Sequence, residues 1–336
     1  MRRLLLPFLL VSAAPATMAQ RSLEVGVATG AVQYYGDLGN YDGPVQWNSA
    51  RPGMTLTFRD FLNNPKRYVT RSLTTEARLS WFRVGYDERA LIPGMELSEM
   101  KNLRRGLSFR NDLVGASGHL VLNAYREPYQ PLFQQRFFMY FHIGLGVYHG
   151  RPKADLFRGD IDPANRYWFW NDGTIRDAAP GTPDAQVIEK DGEYETDLYD
   201  WLTQAPKGYG ENTRASRDSP WHVAVPMGAG VRYMITKEIS LGVEYQYLMF
   251  TNDRIDDVSD RYATWAEIDA TYANDPVKQE LARYISDPTG LGTNGEEGIF
   301  TSRRGNPGLL DTISFLSFEV SYKFKRKPAR RSFVNL

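Results

Sequence analysis

Cysteine is absent from all 336 residues, so no disulfide can brace the fold and stability has to come from burial and hydrogen bonding. Charge of one sign is also missing. Forty Lys and Arg balance forty Asp and Glu, which leaves no basic surplus for generic nucleic-acid binding. Long hydrophobic runs are lacking as well: beyond the first twenty residues nothing approaches the ~18 consecutive apolar residues of a membrane-crossing helix. No internal repeat and no low-complexity tract is evident. Histidine is scarce, with four in the chain.

The first twenty residues, "MRRLLLPFLLVSAAPATMAQ", carry two arginines, an apolar run from Leu4 to Val11 and then small residues. This is the pattern of a secretory signal over 1–19, cleaved after Ala19, because the apolar core is too short to span a bilayer. Loss of Arg2 and Arg3 leaves the exported chain slightly acidic. With 20 Tyr, 17 Phe and 29 Gly, the remainder suits aromatic-rich strands separated by polar loops.

Eight segments have strand patterning, at 22–35, 52–60, 72–86, 106–125, 137–149, 221–235, 239–252 and 311–324. In "SFLSFEVSYKF", Leu316, Phe318, Val320, Tyr322 and Phe324 alternate with Ser317, Glu319, Ser321 and Lys323. Period-two alternation puts these sets on opposite faces. A soluble sandwich would turn the apolar face inward, and a membrane barrel would turn it outward. Connection lengths decide between them. They run at about 16, 20, 71 and 58 residues at one end against 11, 11 and 3 at the other, the asymmetry of an up-and-down barrel with short periplasmic turns and long outer loops. The expected fold is therefore all-β: an eight-stranded antiparallel transmembrane β-barrel over 20–324, with long extracellular loops containing short helices. Its place is the outer membrane of a Gram-negative bacterium, in contact with outer-membrane lipids. The segment 106–125 alternates poorly, and its lipid-facing side stays open.

A lipid-facing cation at mid-bilayer costs about 2–4 kcal/mol, so Arg78, Arg232 and Lys323 should point inward. There they can be neutralised by Glu76, Glu244 and Glu319, in an interior plugged by its own side chains. Tyr34, Tyr35, Trp81, Tyr86, Tyr148, Trp221 and Tyr233 lie near strand ends, where a membrane-interface girdle is their economical role. In the loops, "ETDLYDWLTQ" reads as a short helix capped by Thr196 or Asp197. In "NDPVKQELARYI", Asp275 is an N-cap and Pro276 the first helical residue, with Val277, Leu281 and Ile285 on one face.

The densest chemistry is "TNDRIDDVSDRYA" at 251–263. Asp253, Asp256, Asp257 and Asp260 offer hard oxygen ligands suited to calcium, although the spacing is not that of an EF-hand loop. The competing reading is structural pairing with Arg254 and Arg261 at the barrel rim. A barrel hydrolase would need a histidine beside a nucleophile or acid. Of His119, His142, His149 and His222, the second and fourth face the interior, and neither sits in a nucleophile motif. No cofactor, resident metal or enzymatic activity is expected. "YYGDLG" at 34–39 reads as a turn with Asp37 as a local acceptor. Sugar binding by Trp168 and Trp170 is a weaker idea. The chain closes with Lys325, Arg326, Lys327, Arg330 and Arg331, a basic periplasmic tail over 325–336 that could stay solvated or dock an acidic partner.

Several stretches together resemble the PorG-like outer-membrane barrel family, which is associated with the type IX secretion system: "YYGDLG", "RPGMTLTFRDFLN", "FFMYFHIGLGVYHGRP", and "VPMGAG" followed by "TNDRIDDVSDRY". The similarity runs over about 23–262. The resemblance implies a non-enzymatic barrel docking periplasmic lipoprotein ring subunits of a secretion complex, with structural roles for Asp37, Asp256, Asp257 and Tyr262. The alternative is a surface protein using loops 150–220 and 253–310 to bind a glycan, a protein or an ion.

Overall fold

The computed structural model describes residues 23–39, 49–61, 72–124, 136–204, 219–292 and 303–324. The expected signal peptide and basic tail lie outside the described residues. Eight long strands form the body: β1 Leu23–Tyr35, β2 Arg51–Phe61, β3 Leu73–Asp87, β4 Ser108–Asn123, β5 Phe137–His149, β6 Trp221–Met234, β7 Ile239–Phe250 and β8 Thr312–Phe324. Each pairs antiparallel with its chain neighbours, and β8 pairs with β1 to close the ring. The expected fold is thus the observed one, with strand ends displaced by two residues at most.

The stagger of the barrel can be read from its register. A path from Leu23 through its successive partners Asp60, Thr75, Leu120, Ile143, Met227, Tyr247 and Ser314 returns to β1 at Gln33, ten residues further along. Eight strands with this shear tilt by about 40° from the barrel axis. An even stagger also keeps each residue on the same face all the way round. The outer face is accordingly a band of exposed Leu, Val, Ile, Met and Phe, with Leu145 62% and Phe318 64% exposed, while arginine and glutamate lie inside. Water would not tolerate so continuous an apolar exterior, and hydrocarbon would.

The lumen has two layers. Toward the short-turn end, periplasmic in barrels of this type, it is charged. Toward the long-loop end Val32, Phe82, Leu113, Leu248, Phe250 and Phe315 form an apolar core that continues into the loops through Leu156, Phe157, Ile255 and Ile285. This layering explains the weak alternation of β4. Phe109, Leu113 and Val121 point inward, while Val114, Leu120 and Leu122 point out, so both faces are apolar and the period-two signal cancels.

The same layering corrects the aromatic girdle. Tyr34, Tyr86 and Tyr148 are buried inside the barrel, because their even positions share the inward parity of Val32, Val84 and His142. Trp81 and Trp221 do face outward, and the register puts them on one ring with Val114 and His149. Tyr233 faces outward near the opposite end, beside Phe137.

The described parts of the outer loops are folded. Helix α1, Trp265–Thr271, opens with a reciprocal capping box between Thr264 and Glu267. Helix α2, Pro276–Ser286, has Asp275 as its N-cap and Pro276 in the first turn. Leu281 and Ile285 are buried against the core, but Val277 is 55% exposed, since the first turn of α2 overhangs solvent. The segment expected to be a helix at 195–204 is a single 3₁₀ turn, Leu198–Asp200, capped by Asp197.

Candidate functional site

Three arginines and four glutamates occupy the short-turn half of the lumen. Arg59 is at the centre, fully buried, and bonds Glu24 at 2.8 Å together with Glu76 and Glu319. Arg78 spans Glu76 at 2.6 Å and Glu244 at 2.5 Å, and Arg232 reaches Glu76 at 3.1 Å. Six of the strands supply these charged groups. The Arg232 guanidinium also lies over the Tyr140 ring, 4.0 Å from its centre, and the Tyr140 hydroxyl donates to Glu244 at 2.8 Å. Glu76, Arg78, Arg232, Glu244 and Glu319 were marked by the sequence. Lys323 has the inward parity and is half-buried near the short-turn rim, where its backbone N–H donates to the Glu238 carbonyl at 2.7 Å. Glu24 and Arg59 escaped notice, although the alternation of β1 and β2 assigns both to the inner face.

A second polar chain lies beside this network. Ser117 Oγ is 2.8 Å from His119 Nε2, His119 Nδ1 is 3.1 Å from His142 Nδ1, and His142 Nε2 is 3.4 Å from Glu244. The order of groups is that of a nucleophile–base–acid relay. Ser117, His119 and His142 are all buried in the lumen below the apolar layer. His222 is fully buried with Nδ1 at 3.1 Å from Asn252 Oδ1.

At the outer mouth the acidic stretch becomes a set of loop anchors. Asp256 accepts from the Tyr34 hydroxyl and from the Val258 N–H at 2.8 Å. Asp257, at a left-handed φ of 61°, accepts from Thr203 at 2.5 Å and pairs with Arg304 at 3.8 Å. Tyr262 is buried, bridges to Gln204, and lies 5.7 Å under the Arg304 guanidinium. Of the two arginines expected to pair with the aspartates, Arg254 acts on Asp253, and Arg261 pairs with Glu267 at 2.6 Å. Asp37 also reaches beyond its own turn. Its carboxylate accepts the Asn306 N–H at 2.7 Å, and its carbonyl accepts from Arg105 at 2.7 Å. Arg105 also donates to Glu88 and, at 2.5 Å, to the Arg304 carbonyl. One guanidinium thereby ties the first, second and fourth outer loops together.

Burial dominates the electrostatics of this cap. It lifts Asp253 to about 7, with Asp37 adding repulsion, and Asp256 to about 8, only partly opposed by the Tyr34 and Val258 donors. Asp311, whose Oδ2 accepts the Ile255 N–H at 2.9 Å, is pushed well up by burial and by Asp256. Tyr34 has one proton to give, so its contacts with Asp256 and, at 3.4 Å, with Asp311 are both hydrogen bonds only when one of the two carboxyls carries a proton. The calcium reading of Asp253, Asp256, Asp257 and Asp260 requires their oxygens to converge. Among the described residues these four aspartates do not bring three ligand oxygens together. As for Trp168 and Trp170, one face of each ring is covered by Arg166 and Arg176, 3.6 and 4.1 Å from the ring centres.

A closed eight-stranded barrel with a lipid-compatible exterior and a charge-filled interior is an integral β-barrel of the outer-membrane class. No protein-family model and no curated protein matches the chain. Among solved structures it is similar to Ail, the attachment invasion locus protein of Yersinia pestis, at 9% identity and a TM-score of 0.31, covering 90% of this chain and 97% of that one. It is also similar to Neisserial surface protein A, at 8% identity and 0.30, covering 91% and 98%. The third likeness is to a major outer membrane protein of Thermus thermophilus, at 10% identity and 0.35, covering 91% and 100%.

Proposed function

We propose that this barrel is a non-conducting, non-enzymatic outer-membrane component of a protein secretion machine of the type IX kind, and that it docks a periplasmic lipoprotein ring. The observation that carries the first half is the filled lumen: Arg78 bonded to Glu244 and Arg232 bonded to Glu76 cross the barrel and set charged side chains in the path of a solute, and open channels are built from about 16 strands. The burial of Ser117 and His119 supports the absence of catalysis, since a nucleophile needs room for a reacting atom about 3 Å away.

Support for the secretion role comes from the resemblance to the PorG-like family. The residues that carry it, Asp37, Asp256, Asp257 and Tyr262, all lie in the outer cap, where they join loops to one another. They act as anchors, which leaves the short-turn side and the segment 325–336, rich in Lys and Arg, as the docking elements. Gentle extraction of the native protein from membranes, with and without 325–336, tests this. A stoichiometric periplasmic lipoprotein that disappears with the tail is the expected result. A lone barrel from both strains would refute docking and transfer attention to loops 150–220 and 253–310.

A further inference from the structure

We infer that the third outer loop contains a calcium site formed by Asp155, Asp191 and Glu195 at its neck. The two-residue strands Lys153–Ala154 and Thr196–Asp197 pair antiparallel, Lys153 opposite Asp197 and Ala154 opposite Thr196. Extending that register by one step sets Asp155 across from Glu195, and Asp191 lies one short turn before it. Each of the three offers a carboxylate oxygen within 4.8 Å of the other two. Oxygens on opposite sides of a calcium ion are separated by up to about twice its 2.3–2.6 Å bond, so one ion can reach all three.

The hydrogen bonding leaves one oxygen free on Asp155 and one on Glu195, while Asp191 accepts the Gly159 and Glu193 N–H groups, each at 2.9 Å, one on each oxygen, and would coordinate through a remaining lone pair. Asp155 Oδ2 accepts the Gly192 N–H at 3.0 Å, and Glu195 Oε1 accepts the Leu156 and Phe157 N–H groups at 3.0 and 3.1 Å. Asp155 Oδ1 and Glu195 Oε2 are buried without a donor among the described residues. Asp155 is only 3% exposed, and a buried carboxylate oxygen facing two other carboxylates calls for a cation. Lys190 is the nearby one, but its ammonium is 2.9 Å from Asp87. Burial pushes Asp155 up to about 6; Lys190 opposes this, and Glu195 and Asp191 add to it. An all-carboxylate set without histidine or cysteine favours a hard ion, and the irregular neck suits calcium better than the strict octahedron of magnesium. Within the loop, the chain leaves the short Lys153–Ala154/Thr196–Asp197 ladder at Asp155 and returns to it at Glu195, so the bound ion would staple the neck of the excursion that displays Trp168 and Trp170.

This inference is independent of whether the barrel docks a partner. It is tested on the full chain in detergent, with calcium alone as the probe, by equilibrium dialysis and by trypsin cleavage within 156–190. One ion per chain is expected, with a dissociation constant of about 0.1–1 mM, as in extracellular sites. Calcium should slow cleavage within the loop. Asp155→Asn and Glu195→Gln should each weaken binding by about tenfold or more, and Asp256→Asn should leave it unchanged. Should a buried variant fail to give a folded barrel, Asp191→Asn, at an exposed position, carries the same expectation. Absence of saturable binding below about 10 mM overturns the site. So does binding that survives Asp155→Asn and Asp191→Asn alike, or that is lost with Asp256→Asn.

Discussion

Arg59 bonds three glutamates from three strands, β1, β3 and β8, and has no exposed surface. Replacing it with alanine would leave Glu24, Glu76 and Glu319 short of a partner in a closed interior. Breaking one side of a buried ion pair typically costs about 3–5 kcal/mol. Arg59→Ala is therefore expected to lower the urea midpoint of the refolded barrel markedly, whereas Glu319→Gln, which keeps an acceptor for Arg59, should cost less. Equal midpoints for the two variants would show that the network is not held through Arg59. Arg59 escaped notice although "TLTFRD" alternates and assigns it to the inner face. What the sequence could not show is which strand supplies its partners, because Glu319 is 260 positions away and is brought close only by closure.

At the scale of elements, local rules worked where one face of a strand or helix meets one kind of environment. Strand β8, with lipid on one side and the charged lumen on the other, could be read residue by residue. Strand β4 could not, because the cap core makes its inner face apolar. Helix α2 was legible from its cap and from Leu281 and Ile285, whereas the burial of Asp253, Asp256 and Asp257, expected at the rim as ligands or arginine partners, was not, because it depends on contacts with Tyr34, Thr203 and Arg304 far along the chain. The consequence is a pH dependence. Asp256 titrates near 8 in the folded cap and near 3.9 when unfolded, so the folded state binds the extra proton between those values. Stability of the cap is then fullest below about pH 4 and is lost as pH rises through about 8. Hydrogen exchange over 251–263 should accelerate from pH 5 to pH 8 beyond the intrinsic chemical trend, and Asp256→Asn should flatten the excess. An excess that is unchanged in the variant would place the titration on another group.

For the whole molecule, the charged layer, the apolar layer and the loop cap close the same axis at three successive heights. Planar bilayers containing the purified protein are expected to show no steady conductance, and a double substitution of Arg78 and Glu244 to alanine should not open one, because the apolar layer above remains. Stable channels from the unaltered protein would contradict the filled lumen. The eight strands, their order and the two ends of the barrel were all available from alternation and connection length; the tight packing of the loops was not, because it rests on contacts between segments with no shared period.

Closure itself bears on how the protein is made. The β1–β8 ladder pairs Leu23 with Phe324 and Tyr35 with Thr312, joining the two ends of the described chain. That seam is the pairing of greatest sequence separation in the barrel, so its loop-closure entropy is paid last and in one step. The first strand must then wait, with one edge unsatisfied, until the eighth has been synthesised. Strand assembly cannot finish during export, and the chain has to be kept from self-association through its open edge until the ring is sealed.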